Sequence, residues 1–86
     1  MSERKLKEVG KVIHYFTKIG VAVIELSETL SVGDRILIQG STTNFEQIVA
    51  SMQIEHVNVA SAHAGQSIGL KVENRVREGD KLYKIL

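Results

Sequence analysis

The sequence predicts an all-β domain, a single closed six-stranded β-barrel with Greek-key connections. Three observations carry this expectation. Val, Ile and Thr fill short segments separated by glycines, the composition of pleated, half-buried strands. No segment sustains the apolar period of a helix: residues 6–12 are interrupted by Gly10, and the cap-like Ser41-Thr42-Thr43-Asn44 runs into a β-rich stretch. Finally, 86 residues with 43% hydrophobic side chains make one small domain, in which closing the sheet removes its exposed edges.

The strands follow in order. The first spans about residues 9–16, and Gly10 within it marks a bulge or a close backbone approach. The second is Val21–Leu26, set off by Lys18-Ile19-Gly20. The third is Arg35–Gln39, with Ile36 and Ile38 two apart. The fourth, about 45–55, changes apolar phase between Ile48-Val49 and Met52/Ile54, which predicts a bend at a bulge. The fifth, 67–72, alternates Ile68, Leu70 and Val72 with Ser67, Gly69 and Lys71. The sixth spans 81–86, and 56–65 reads as an irregular connection across the barrel end. The expected core is Val12, Ala22, Ile24, Leu26, Ile36, Ile38, Met52, Ile54, Ile68, Leu70, Val72 and Leu82. Residues 1–8 read as a flexible polar N-terminus and 9–86 as the barrel.

Two turns share one chemistry. Leu30-Ser31-Val32-Gly33-Asp34 leads into the third strand and Val76-Arg77-Glu78-Gly79-Asp80 into the sixth. In each, Gly supplies a positive φ and Asp can bond the turn backbone. The likeness is confined to the turns and is not read as an internal repeat.

The net charge of +1 excludes a partner held by bulk charge alone. Charge is uneven, at +2 over residues 1–11, −3 over 12–70 and +2 over 71–86. The absence of cysteine excludes disulfides and thiolate metal sites, and it suits a cytoplasmic protein. The longest apolar run, Val21-Ala22-Val23-Ile24, is far too short to span a membrane, and residues 1–9 lack the apolar stretch of a signal peptide.

Catalytic motifs do not emerge. His14, His56 and His63 do not fall at metal-ligand spacing, no G-x-S-x-G elbow is present, and no phosphate-binding glycine loop occurs. The acids Glu28, Asp34, Glu78 and Asp80 lie at turns, where capping accounts for them. The expectation is a non-enzymatic protein with no cofactor, no metal and no nucleotide hydrolysis of its own. Aromatic rings beside basic groups offer one binding chemistry: Tyr15 and Phe16 lie near Lys11 and Lys18, while Arg75, Arg77, Lys81 and Lys84 surround Tyr83.

These residues carry a family resemblance over about residues 9–86. Gly10-Lys11-Val12, Leu30 to Gly40, Val49-x-Ser51-Met52-x-Ile54, Ala62-x-Ala64-Gly65-Gln66-x-Ile68-Gly69-Leu70 and Val76 to Asp80 resemble the second, β-barrel domain of elongation factor Tu and its relatives. Residues 8–16 and 45–56 are similar to the small C-terminal barrel of collagenase-like peptidases and to free-standing translation elongation factor-like proteins. The resemblance implies a barrel of the translation-factor type. It also implies contact with RNA, tRNA or ribosome-associated partners, through Lys11, Tyr15, Phe16, Lys18, Arg75, Arg77, Lys81 and Lys84. A second reading stands beside it: a protein-interaction domain docking onto a larger enzyme such as a collagenase-like peptidase. An exposed apolar patch around Tyr15, Phe16, Ile19 and Phe45 would mark that alternative.

Overall fold

The computed structural model describes residues 5–86, so residues 1–4 of the expected flexible N-terminus lie outside the described residues. The described chain is all-β, with no helix and ten strands: β1 (Leu6–Phe16), β2 (Val21–Leu26), β3 (Leu30–Ser31), β4 (Arg35–Gln39), β5 (Asn44–Ile48), β6 (Met52–Ile54), β7 (Val57–Val59), β8 (Ser61–Ala62), β9 (Ser67–Lys71) and β10 (Lys81–Ile85). Eight form one antiparallel sheet in the order β5-β4-β10-β1-β2-β9-β6-β7, and β3 and β8 form a separate two-stranded ribbon. β1 starts at Leu6, opposite Ile85, so residues 6–8 are strand.

Two differences from the expected six strands have physical causes. The segment expected as one strand over 45–55 changes partners: β5 lies on β4, whereas β6 lies between β9 and β7, and residues 49–51 make the bend. The connection 56–65 is not wholly irregular, because β7 folds back on β6 and β8 pairs with β3. Ladder bonds therefore do not complete the expected ring, since the order ends at β5 on one side and β7 on the other. β5 and β6 are nonetheless three residues apart in the chain, so the sheet must curl to bring its ends together. The buried Gln47 on β5 helps: its Nε2 donates to Lys71 O and its Oε1 accepts from Glu73 N–H, both at 2.9 Å.

The two glycine-aspartate turns are built alike. Ser31 N–H donates to Asp34 Oδ2 at 2.9 Å, and Arg77 N–H donates to Asp80 Oδ2 at 2.8 Å. Gly33 and Gly79 have φ of 97° and 93°, where a side chain is strained. Each turn docks on a valine, Val49 in the bend just after β5 or Val12 within β1. Gly33 N–H donates to Val49 O and Val49 N–H to Asp34 O, at 2.8 and 2.9 Å; Gly79 N–H donates to Val12 O and Val12 N–H to Asp80 O, both at 2.8 Å. The correspondence extends outward. β4 and β10 pair about a local two-fold, with Ile36 opposite Lys84 and Ile38 opposite Leu82. β5 on β4 then matches β1 on β10, and the pair Phe16–Val21 matches the pair Gln53–Gly69. The likeness expected to stop at the turns thus belongs to an internal two-fold. Pairing geometry conserves it where side chains do not.

The interior holds the expected core residues except Ile54, which packs against it half-buried. Val9, Leu30, Val49, Ala62 and Val76 join them. Leu30 and Val76 are buried because the turns that follow them are docked. β1 carries register shifts between Glu8 and Gly10 and between Val12 and His14, in keeping with the bulge expected at Gly10. Gly10 also meets the close approach expected there: an added Cβ would lie 2.8 Å from both Glu25 O and Ile24 Cγ2.

At the surface, Lys7 Nζ lies 2.7 Å from Glu28 Oε1 and ties β1 to the link after β2. The hydrogen bond and charge of Lys7 lower the Glu28 pKa. A carboxyl with a depressed folded pKa contributes stability above its unfolded pKa and loses it as pH falls through the folded value. The pair is exposed, so that contribution is small. The Lys7→Met substitution is expected to raise the Glu28 pKa toward its ordinary range, read by NMR titration. Gly10→Ala is expected to cost about 1–3 kcal/mol in urea unfolding, because the new methyl meets backbone that cannot retreat.

Candidate functional site: an apolar groove between two turns

The structure separates the residues singled out for RNA or partner contact. Lys11 is exposed opposite Lys81 and Glu25, and Lys81 Nζ lies 3.5 Å from Glu8 Oε2. Lys84 is half-buried, with its Nζ 3.2 Å from Asp34 Oδ2. Arg75 and Arg77 are exposed on the link before β10, where the adjacent Glu78 lies 3.2 Å from His14 Nδ1. Tyr15 is half-buried against the core, Phe16 is exposed, and Lys18 is exposed in the β1–β2 turn. Lys84 sits opposite Lys7, eight positions from Tyr15 along β1; at about 3.3 Å per residue that is roughly 25 Å. The fold therefore brings Lys11 to Lys81 and keeps Tyr15, Phe16 and Lys18 together, but interleaves acids and does not join the eight into one track. His56 and His63 are exposed, and among the described residues no group of three or more His, Cys, Asp or Glu could hold a metal ion.

A groove of about 260 Å³ lies on the outer face of β2, β9 and β6. Strand alternation makes it: Ala22, Ile24, Ile68 and Leu70 point into the core, so Val21, Val23, Ser67 and Gly69 face outward. Phe16 and Ile19 form one rim, 46% and 57% exposed. Lys71 Nζ pins that rim by donating to Ile19 O at 2.9 Å. The Phe16 ring meets His14 edge-on, with centroids 4.4 Å apart. Of the apolar patch expected to mark a protein partner, Phe16 and Ile19 are exposed, whereas Tyr15 and Phe45 pack partly into the core.

Glu55 and His56 form the opposite rim, in the two-residue turn between β6 and β7. Their φ values are 49° and 66°, the left-handed region at both central positions. A hairpin turn of this hand favours Asn-Gly, and residues with a Cβ cost about 1 kcal/mol or more each there. Gln53 and Asn58, flanking the turn, are joined by a 3.0 Å side-chain hydrogen bond.

Gly69, in the groove floor, is not required by the backbone. It lies in unbroken register with Val23 and Gln53, and an added Cβ would make only ordinary contacts, 3.5 Å from Val21 Cγ1 and 3.9 Å from Gln53 O. Sequence reasoning named Phe16 and Ile19, weighed His56 only as a metal ligand, and gave Gly69 and Glu55 no site role. The available signals were a glycine inside an otherwise alternating strand and two poor turn formers between Met-x-Ile and Val-x-Val.

No family model matches the chain. It is 47% identical over 77 residues to an uncharacterized protease of Methanocaldococcus jannaschii, covering 88% of this chain and 19% of that protein. It is 42% identical over 83 residues to a Porphyromonas gingivalis collagenase, covering 94% of this chain and 23% of that protein. The chain thus spans about a fifth of the length of the curated relatives it matches. Its fold is that of the C-terminal domain of a Geobacillus thermoleovorans protein described as a U32 peptidase, with a TM-score of 0.85, 22% identity and 91% of each chain covered. The collagenase-like side of the resemblance has this support, and the translation-factor side has none from these relatives.

Replacing the strained pair by Glu55→Asn with His56→Gly is expected to raise stability by about 1–2 kcal/mol. A thermal melt reads this as an increase of several degrees in Tm.

Proposed function

We propose that this chain is a non-catalytic accessory domain that packs against the larger remainder of a collagenase-like peptidase. The observation that carries this reading is the span of the similarity. It covers nearly all of this chain and about a fifth of each peptidase, so the shared part is one folded unit beside a much larger body. The chemistry within the unit supports an accessory role. Asp34 and Asp80 are occupied in holding turn backbone, and the concave surface is mostly apolar, with Gln53, Ser67, one carboxylate and one imidazole as its polar side chains.

The test is association with a peptidase body. Porphyromonas gingivalis collagenase lacking its matching segment is mixed with the purified chain, at about 50 μM each, and run on size-exclusion chromatography with calorimetry. An interface of ordinary size predicts co-elution and a Kd in or below the micromolar range. Separate elution of two folded proteins overturns the proposal.

A further inference from the structure

Three features that folding does not require meet at the groove. Gly69 is the first. Glycine inside a strand weakens it and marks a bulge, a bend or the close approach of another group. The register shows no shift there, there is room for a side chain, and the matching position in the other half of the two-fold is Val21. Its one local effect is to leave the floor open. The second is the left-handed backbone at both Glu55 and His56, which holds two bulky polar side chains at the rim where Asn-Gly would fold more easily. The third is the exposed pair Phe16 and Ile19, in a turn that Lys71 pins in place. Costs to the isolated fold that converge on one concave surface are the signature of a surface selected for binding.

Charge says what kind of partner fits. Glu55 on one rim and Lys18 beside the other have no ion pair among the described residues, unlike Lys7, Lys81 and Lys84. We infer that this groove receives the remainder of the peptidase, an inference that rests on the accessory-domain reading above. The occupant is a segment of the peptidase body with one large apolar side chain. That side chain enters over Gly69, between Phe16 and His56, with a basic neighbour facing Glu55 and an acidic one facing Lys18. Of the other exposed apolar residues, Leu6, Ile13, Val32, Ile48 and Leu86 line no part of the groove and carry no left-handed backbone, and Val57 lies on β7 just past the strained turn without lining the groove.

The experiment measures binding of the truncated collagenase to the full chain and to three variants by calorimetry, with a thermal melt of each. Gly69→Thr fills the floor with a residue suited to a strand and is expected to weaken binding about tenfold or more, with Tm unchanged or raised. Glu55→Asn with His56→Gly is expected to raise Tm and yet weaken binding, which unfolding cannot imitate. Val32→Ser with Ile48→Ser, away from the groove, is expected to bind like the parent chain. Failure of the parent chain to bind overturns the accessory reading itself. Binding by the parent with undiminished binding by both groove variants overturns the groove assignment and leaves that reading standing. A chimaeric collagenase carrying this chain in place of its own matching segment gives a second measurement. There Gly69→Thr must lower the melting temperature of the chimaera without lowering that of the isolated chain, and an unchanged chimaera counts against the groove.

Discussion

Two short turns, each docked through paired backbone hydrogen bonds on a buried valine, are the constraint on which the rest of this fold depends. Asp34 and Asp80 close their own turns through a side-chain oxygen. Val49 and Val12 then take the N–H of the glycine and give their own N–H to the aspartate carbonyl. Docking sets where β4 and β10 begin, and that start sets their mutual register. It also buries Leu30 and Val76, the residues just upstream. Each aspartate is further tied to the opposite strand system: Lys84 of β10 reaches Asp34, and Gly40 after β4 lies so close to the Asp80 carboxylate that a Cβ there would collide with it. A domain of this size has little core to spare, so satisfied backbone at the turns matters as much as apolar burial.

The glycines show how structural and functional demands can be told apart. Gly10 is imposed by its surroundings, since backbone and a core methyl crowd the site of its missing side chain. Gly69 is imposed by nothing inside the molecule, and its effect is felt only on the outer face. The same contrast holds for turns. Left-handed backbone falls on glycine at positions 33 and 79, where the fold needs it, but on glutamate and histidine at positions 55 and 56, beside the groove. An accessory domain that meets a larger body through this face would account for the difference, because the cost is borne by the free domain and recovered on docking.

Much of the architecture was legible in the sequence because it follows from local rules. β-branched composition and period-two alternation mark the strands, and Val21–Leu26 and Arg35–Gln39 have the bounds that pattern implies. The Gly-Asp pairs mark the turns, and the phase change near Val49 marks a bend. The splitting of the 45–55 segment was not legible, because it depends on which strands its two halves meet. Nor was the internal two-fold, which lies in hydrogen-bond pairing: Phe16 matches Gln53 and Val21 matches Gly69, and no side-chain likeness reveals either.

The candidate site divides in the same way. The sequence by itself determined an all-β domain with its core, its turns and a stock of exposed aromatic and basic residues, since those follow from residue type and near neighbours along the chain. Tertiary structure alone decided which of them act together. Strand pairing holds Lys84 of β10 opposite Lys7, far along β1 from Tyr15, while it sets Phe16, Gly69 and His56, distant in sequence, around one groove. The physical reason is that a strand's outward face is shared with whatever strands pair beside it, and pairing is settled by backbone hydrogen bonds between segments far apart in the chain.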